Sequence, residues 1–300
     1  MHSNLPIVVG LGEAVWDIFG TERKPGGATA NVAYHAAQHG ARGVVATRLG
    51  TDEAGRALYD YFVSKGLDTS AIQWDADHET GRVTVDMRDP GHPTYVIHEE
   101  VAWDHLEPTV ALLQLADRAD AVCFGSLAQR SPVARQAIQE FIQRTQGLVV
   151  FDVNLRQDWY DRDSLEHSLT HCRVAKLNID ELSTVAAELG LASQSERAFA
   201  RNLQARFPVE TVIVTRAERG CFVARHEEIV DLPGESIQLV DAVGAGDAFS
   251  AAFIMLSLEG QPLEKTARFA NRAGGIVASR SGAMPDVAQD YRQLRAELGL

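Results

Sequence analysis

Short apolar runs alternate with amphipathic stretches along the chain. "PIVVGLG" (residues 6–12), "AVCF" (121–124), "LVVFDV" (148–153), "RVAKLN" (173–178) and "TVIVT" (211–215) are brief and rich in β-branched residues, as strands buried on both faces are. Between them lie helical patterns such as "TANVAYHAAQHG", "DEAGRALYDYFVSKG" and "IDELSTVAAELG". Their closing glycines, Gly40, Gly66 and Gly190, fall where helix C-caps belong. Strands alternating with helices predict an α/β fold, a mostly parallel sheet sandwiched between helices.

One region breaks the rhythm. In "GRVTVDMRDPGHPTYVIHEE" (residues 81–100), two runs of alternating apolar and polar residues flank "DPGHP". This predicts an antiparallel hairpin with one exposed face, set as a flap beside the main sheet. No internal repeat or low-complexity linker divides the chain, so a single domain with a small lid is expected.

Composition narrows the classes of function. The 300 residues carry a formal net charge of −13, which argues against nucleic acid or an anionic membrane as the main partner. Cys123, Cys172 and Cys221 are scattered and odd in number, against a disulfide framework or zinc site. The opening "MHSNLPIVVGLGE" has neither a charged leader nor a long apolar run, and a cytoplasmic location is expected.

The chemistry concentrates in "DAVGAGDAFSAAFIMLSLEG" (residues 241–260). Gly244, Ala245 and Gly246 lead directly into Asp247 on the first turn of an apolar helix. Glycine inside a helix costs about 1 kcal/mol relative to alanine, so the turn needs another reason. A glycine turn entering a helix at the carboxyl edge of a sheet gathers unpartnered amides and the positive helix end into an anion hole. A carboxylate beside a held phosphate can take a proton from an attacking hydroxyl. The alternative is a tight turn that Asp247 caps. The chain lacks GxxxxGK[ST], and "GLGEAVWDIFG" lacks the third glycine of a dinucleotide fingerprint.

Three further stretches point the same way. "KPGGATANVAYHAAQHGA" sets Gly26 and Gly27 before a helix with Asn31 on its first turns; "FDVNLRQDW" puts Asp152, Asn154 and Arg156 at a strand's end; "KLNIDEL" puts Asn178 and Glu181 at a strand-to-helix switch. Each also has a plain structural account. Thr29 can cap the first helix, Asn178 and Glu181 can form a capping box, and Arg156 can pair with Asp158 or Asp161. Their joint order resembles the ribokinase-like, PfkB-type carbohydrate kinases: an early "GG…N", a middle N-x-x-E and a late D-x-x-G-A-G-D-A-F, spanning about residues 7–285. Within that family the pattern is most like bacterial fructokinases.

The resemblance implies the Rossmann-like ribokinase fold, with a β lid from about residues 13–25 and 80–103 that often pairs lids into a homodimer. It implies ATP and Mg2+ as cofactors, with K+ as a second ion. Asp247 would be the base, with the Gly244, Ala245 and Gly246 amides on the transferring phosphoryl group and Arg156 across the site. Asp17, Gly26, Gly27 and Asn31 would hold the sugar, with Trp103 and Gln129 as further candidates; Trp103 reads equally well as packing. Asn178 and Glu181 would organise Mg2+ through water, and Thr215, Gly220 and Asn271 would contact the nucleotide. Asp241, Val243, Val277, Arg280 and Gly282 would offer carbonyls to a monovalent cation.

Two departures stand out. Ala217 replaces the first glycine of the family's T-x-G-x-x-G, and "GSLAQRSP" (residues 125–132), with Ser126, Gln129 and Arg130, replaces ribokinase's carboxylate after "AVCF". Fructose is therefore the favoured sugar over ribose. Arg23, Lys24 and Arg156 keep 2-keto-3-deoxygluconate and phosphosugars as alternatives, with ribose, a nucleoside or another sugar behind them, and an inactive sugar or nucleotide sensor is the non-kinase reading. A nicotinamide oxidoreductase is disfavoured by the missing glycine.

Overall fold

The structure, a computed structural model, describes residues 5–86, 94–192 and 194–300. Its strands are β1 Ile7–Leu11, β2 Val15–Phe19, β3 Glu22–Gly26, β4 Arg42–Ala46, β5 Arg48–Gly50, β6 Gln73–Asp75, β7 Gly81–Asp86, β8 Thr94–Ile97, β9 Ala121–Phe124, β10 Leu148–Asp152, β11 Val174–Asn178, β12 Thr211–Thr215, β13 Cys221–Arg225 and β14 Glu228–Leu232. The helices are α1 Ala28–Gln38, α2 Glu53–Ser64, α3 Val110–Ala116, α4 Pro132–Arg144, α5 Arg162–His171, α6 Ile179–Leu189, α7 Glu196–Arg206, α8 Ala245–Leu258, α9 Leu263–Ala278 and α10 Ala288–Leu298.

Eight strands form the main sheet, in the order β14-β13-β12-β11-β10-β9-β1-β4. The pairs from β4 through β12 are parallel, and β13 and β14 close one edge antiparallel. Alternate residues of each strand serve opposite faces. Val9, Val122, Phe151, Leu177 and Val214 pack with Phe141, Leu165, Val185 and Phe199 of α4 to α7. Val8, Cys123, Val150, Val174 and Ile213 pack with Val32, Phe253, Phe269 and Leu294 of α1, α8, α9 and α10. All three cysteines are buried and free.

Register places the strands' carboxyl ends along one edge: Leu11 beside Ala46 and Phe124, Asp152 beside Lys176, Asn178 beside Thr215. Two glycines bring α1 hard against that sheet. A Cβ on Gly10 would lie 1.9 Å from Thr29 O, and one on Gly43 2.1 Å from Ala33 O.

The expected hairpin appears as β7 antiparallel to β8. It joins β2 and β3 in a separate four-stranded sheet, ordered β3-β2-β7-β8. The "DPGHP" turn (residues 89–93) lies outside the described residues. No described helix is long and apolar enough to cross a membrane.

Candidate active site

Five of the ten described α-helices begin on a side-chain cap: Asp52 on α2, Thr109 on α3, Asp161 on α5, Asn178 on α6 and Ser195 on α7. Helices α1 and α8 begin instead on glycines, Gly27 at φ 116 and Gly244 at φ 80. Gly244 has little alternative, because a Cβ there would lie 2.7 Å from backbone atoms of Ala283. The Ala245 amide turns back to Ala242 O at 3.3 Å. Those of Gly246 and Asp247 are first-turn donors without an intrahelical acceptor. Downstream, buried Phe249, Phe253, Met255 and Leu256 anchor the helix, at about 1.5–3 kcal/mol each.

Asp247 faces α1. Its Oδ2 accepts from Asn31 Nδ2 at 2.8 Å, while Asn31 Oδ1 is buried with no partner. Close by, a Cβ on Gly26 would lie 2.5 Å from Asp17 Oδ2, and one on Gly27 would lie 2.5 Å from Glu13 O. Burial pushes the Asp247 carboxyl up to about 6, helped by the Asp152 charge and opposed by Asn31, Lys176 and Arg156. Burial likewise pushes Asp17 up to about 6, against the pull of Arg156. Arg156 is exposed and acts electrostatically on Glu13, Asp17 and Asp247. It does not take the surface partner weighed for it at Asp161, which pairs with Arg135 at 2.8 Å.

Two buried charged groups escaped the sequence reading. Lys176 Nζ lies 2.9 and 2.7 Å from the two Asp152 oxygens, and Ser250 Oγ donates to Asp152 Oδ2 at 2.9 Å. Burial disfavours the ammonium, but Asp152 outweighs it and holds the Lys176 pKa above its usual value. A Cβ on Gly246 would meet Lys176 Nζ at 3.5 Å, so this cation lies directly under the glycine turn. The signal was a lysine inside the apolar run "RVAKLN". The second group is Glu13, 4% exposed. Its Oε1 accepts from Ala28 N at 3.3 Å, its Oε2 has no partner, and burial raises its pKa to about 7.

On the far side of the glycine turn a cleft of about 850 Å³ opens, lined among others by Asn178, Thr215, Gly220, Ile237, Gly246 and Asn271. Asn178 and Glu181 form the capping box: Asn178 Oδ1 accepts the Asp180 and Glu181 amides, and Glu181 Oε2 accepts Asn178 N at 2.9 Å. Glu181 Oε1 accepts Leu155 N at 2.8 Å, tying β10's exit to β11's. Asn271 Nδ2 donates to Pro233 O at 3.1 Å.

An open cleft and a half-buried acid thus meet at one glycine-headed helix. The pfkB family of carbohydrate kinases matches residues 8–290. The chain belongs to that family. It is 31% identical to a fructokinase of Klebsiella pneumoniae over 292 residues, 91% of this chain and 94% of that one. Its fold matches a fructokinase from Xylella fastidiosa with bound ATP at TM-score 0.86 and 22% identity, covering 98% and 99% of the two chains. It also matches a double mutant of fructokinase from Vibrio cholerae O395, holding fructose, ADP and a potassium ion, at TM-score 0.83, 22% identity and the same two coverages, 98% and 99%.

In this carbohydrate kinase the stretches expected around a monovalent cation do meet. Asp241 N donates to Ala278 O at 3.2 Å, and Asp241 Oδ2 accepts Gly282 N at 3.1 Å. Val277 O already accepts Arg280 N at 2.9 Å, and Asp241 Oδ1 accepts Val243 N at 3.1 Å.

Several expectations need correction. Gln129 is not turned to a substrate: it is 1% exposed, and its amide donates to Gly125 O and Ser168 Oγ, both at 3.0 Å. Trp103 is core packing at 1% exposure. It stacks on Arg130, whose guanidinium is sandwiched against Trp159 and paired with both Asp104 oxygens at 2.8 Å. Thr29 does not cap α1; Gly27 holds that place, and Thr29 Oγ1 donates to Glu13 O at 3.3 Å.

Proposed function

We propose that this kinase transfers the γ-phosphoryl group of ATP to a primary hydroxyl of fructose. The Asn31–Asp247 hydrogen bond carries the reading, because it joins the α1 glycine turn to the α8 glycine turn across one reaction centre. ATP lies in the cleft against Thr215, Gly220 and Asn271, with its terminal phosphate on the Gly244–Gly246 turn. Fructose lies against Asp17, Gly26, Gly27 and Asn31, whose unpartnered buried Oδ1 suits a hydroxyl donor. Asp247 takes the hydroxyl proton as the oxygen attacks the γ-phosphorus, and ADP leaves with the bridging oxygen. A pKa of about 6 leaves Asp247 ionised at neutral pH, close to the optimum for a general base. Arg156 faces the transferred group from β10's exit.

Mg2+ would be organised at Asn178 and Glu181 through water. The Glu181 oxygens each hold one backbone amide, which leaves each a further lone pair and fits an outer role through water. K+ would take carbonyls of Asp241, Val243, Val277, Arg280 and Gly282. The meeting of the two stretches supports this, as does the potassium ion in the Vibrio cholerae fructokinase. Cytoplasmic placement and a homodimer through the four-stranded sheet, acting as lid, complete the reading.

A neutral sugar is favoured by charge. Glu13, Asp17 and Asp247 make the pocket acidic, Arg130 is spent on Asp104, and Arg23 lies over Trp16 at 4.9 Å. One observation keeps an anionic sugar in view: Lys24 pairs in register with Asp17 and so shares its face of the lid. Steady-state comparison of fructose, ribose, 2-keto-3-deoxygluconate and fructose 6-phosphate decides. Fructose is expected to lead in kcat/KM. A win of about tenfold by an anionic sugar, ~1.4 kcal/mol in the transition state, overturns the assignment.

A further inference from the structure

Away from the catalytic cleft, His78, Glu100 and His105 converge at the root of the lid hairpin. One ligand atom from each lies within 4.8 Å of the others. His78 sits three residues before β7, and Glu100 three residues after β8, so the cluster grips both ends of the hairpin. Its parts are already held together: Ala102 N donates to Glu79 O at 2.8 Å, and Arg48 Nη1 donates to His105 O at 2.9 Å.

The details resemble a ligand set more than a chance cluster. His78 Nδ1 lies 3.1 Å from Oδ1 of Asp75, a carboxylate 1% exposed. A carboxylate on one ring nitrogen fixes the tautomer and frees the other nitrogen's lone pair, which is the usual support of a metal-bound histidine. Asp75 is itself charge-balanced by Arg48 Nε at 2.7 Å. His105 Nε2 is buried with no hydrogen-bond partner and lies 3.8 Å from Glu100 Oε2. Glu100 holds φ 53, a left-handed conformation that a glutamate rarely adopts. The two imidazoles stack with centroids 3.5 Å apart.

We propose that His78, Glu100 and His105 form a site for a divalent transition metal of the zinc type. Two imidazoles and one carboxylate suit Zn2+, Co2+ or Ni2+, not Mg2+ or Ca2+. Tetrahedral bonds of about 2.0–2.2 Å set ligand atoms roughly 3.4 Å apart, with water in the fourth position; closing on one ion turns the two rings, now 14° from parallel, out of their stack so that each plane contains the metal. The metal does no chemistry on the sugar. It ties the segment entering β7 to the segment leaving β8 and stiffens the root of the lid.

The test uses the full chain, stripped with EDTA and without nucleotide, titrated with Co2+ and then Zn2+. One equivalent of Co2+ should give the intense visible absorption of four-coordinate cobalt, and Zn2+ should displace it. His78→Gln, His105→Gln and the exposed Glu100→Gln should each weaken binding tenfold or more. Zn2+ should raise the Tm of the unmodified chain by about 5 °C and leave His78→Gln unmoved. His167→Gln is the control, because His167 and His171 stack elsewhere, on α5, at 4.3 Å. Binding lost in His167→Gln but kept in His78→Gln overturns the proposal. So does weak six-coordinate absorption, or equal affinity in all the variants. Circular dichroism of the metal-free variants separates lost ligands from lost fold.

Discussion

Two helices in this kinase begin on the same device and use it for opposite ends. At α1, Gly27 leads into a helix whose first amide, on Ala28, is answered from within by the Glu13 carboxylate at 3.3 Å. At α8, Gly244 leads into a helix whose turn is underlain by the Lys176 ammonium, 3.5 Å from where a Gly246 Cβ would lie. The internal acid opposes the positive helix end at α1, which suits the hydroxyls proposed there. The internal cation adds to the helix end at α8, which suits the phosphate proposed there. The Asn31–Asp247 bond couples the two. On the proposed function, glycine at a helix start supplies access and the buried charge behind it selects the ligand.

The largest expected effect comes from breaking the cation. Lys176→Met leaves Asp152 buried with Ser250 as its remaining partner, and loss of one member of a buried pair costs about 3–5 kcal/mol. Chemical denaturation should show that loss. The double variant Lys176→Met with Asp152→Asn should recover most of the stability, yet bind ATP more weakly than the unmodified chain. If the double variant binds ATP normally, the charge under the α8 turn plays no part in holding phosphate.

Asp247→Asn removes the proposed base and keeps both turns. Turnover should fall roughly 100-fold or more, within the usual range for a general base, while ATP affinity changes little. The pH profile sharpens the same point. With its pKa raised to about 6, Asp247 takes up its proton as pH falls through that value, so kcat/KM should decline toward tenfold per pH unit below it. An Asn variant with near-normal turnover, or a profile flat down to pH 5, would remove Asp247 from the mechanism.

The glycine turns were legible because steric necessity leaves so few alternatives at them. The parallel sheet was legible because its strands are apolar on both faces. The Asp152–Lys176 pair and Glu13 were not, since strand register decides that Asp152 meets Lys176, and register is not written in any single run. Gln129 misled for a related reason: a polar residue after a strand reads as a binding group until a neighbouring helix, here α5 through Ser168, proves to be its partner. Ala217 shows the converse. It stands where the family pattern has glycine, and the structure holds it at φ 50, where alanine is strained.

The smallest effect tests the acid behind α1. Glu13 is 4% exposed, and burial raises its pKa from 4.5 to about 7. The folded chain therefore binds this proton more tightly than the unfolded one. Ionised Glu13 costs stability in full above about pH 7, and the cost fades as pH falls toward 4.5. Glu13→Gln keeps the shape and the acceptor for Ala28 N, and removes the ionised form. At one pKa unit per 1.36 kcal/mol the gain at pH 8 has a ceiling of about 3 kcal/mol. Lost attraction to the helix end takes back about 0.3–1 kcal/mol. A net gain of about 1–2 kcal/mol, some 2–6 °C in Tm for a chain this size, is expected at pH 8, shrinking toward zero near pH 5. ATP affinity should be unchanged, since the proposed function seats phosphate on the α8 turn and not on α1. A variant that is less stable at pH 8, or that loses ATP affinity, would mean that Glu13 acts as a working anion at the reaction centre, and the contrast between the two glycine turns would fail.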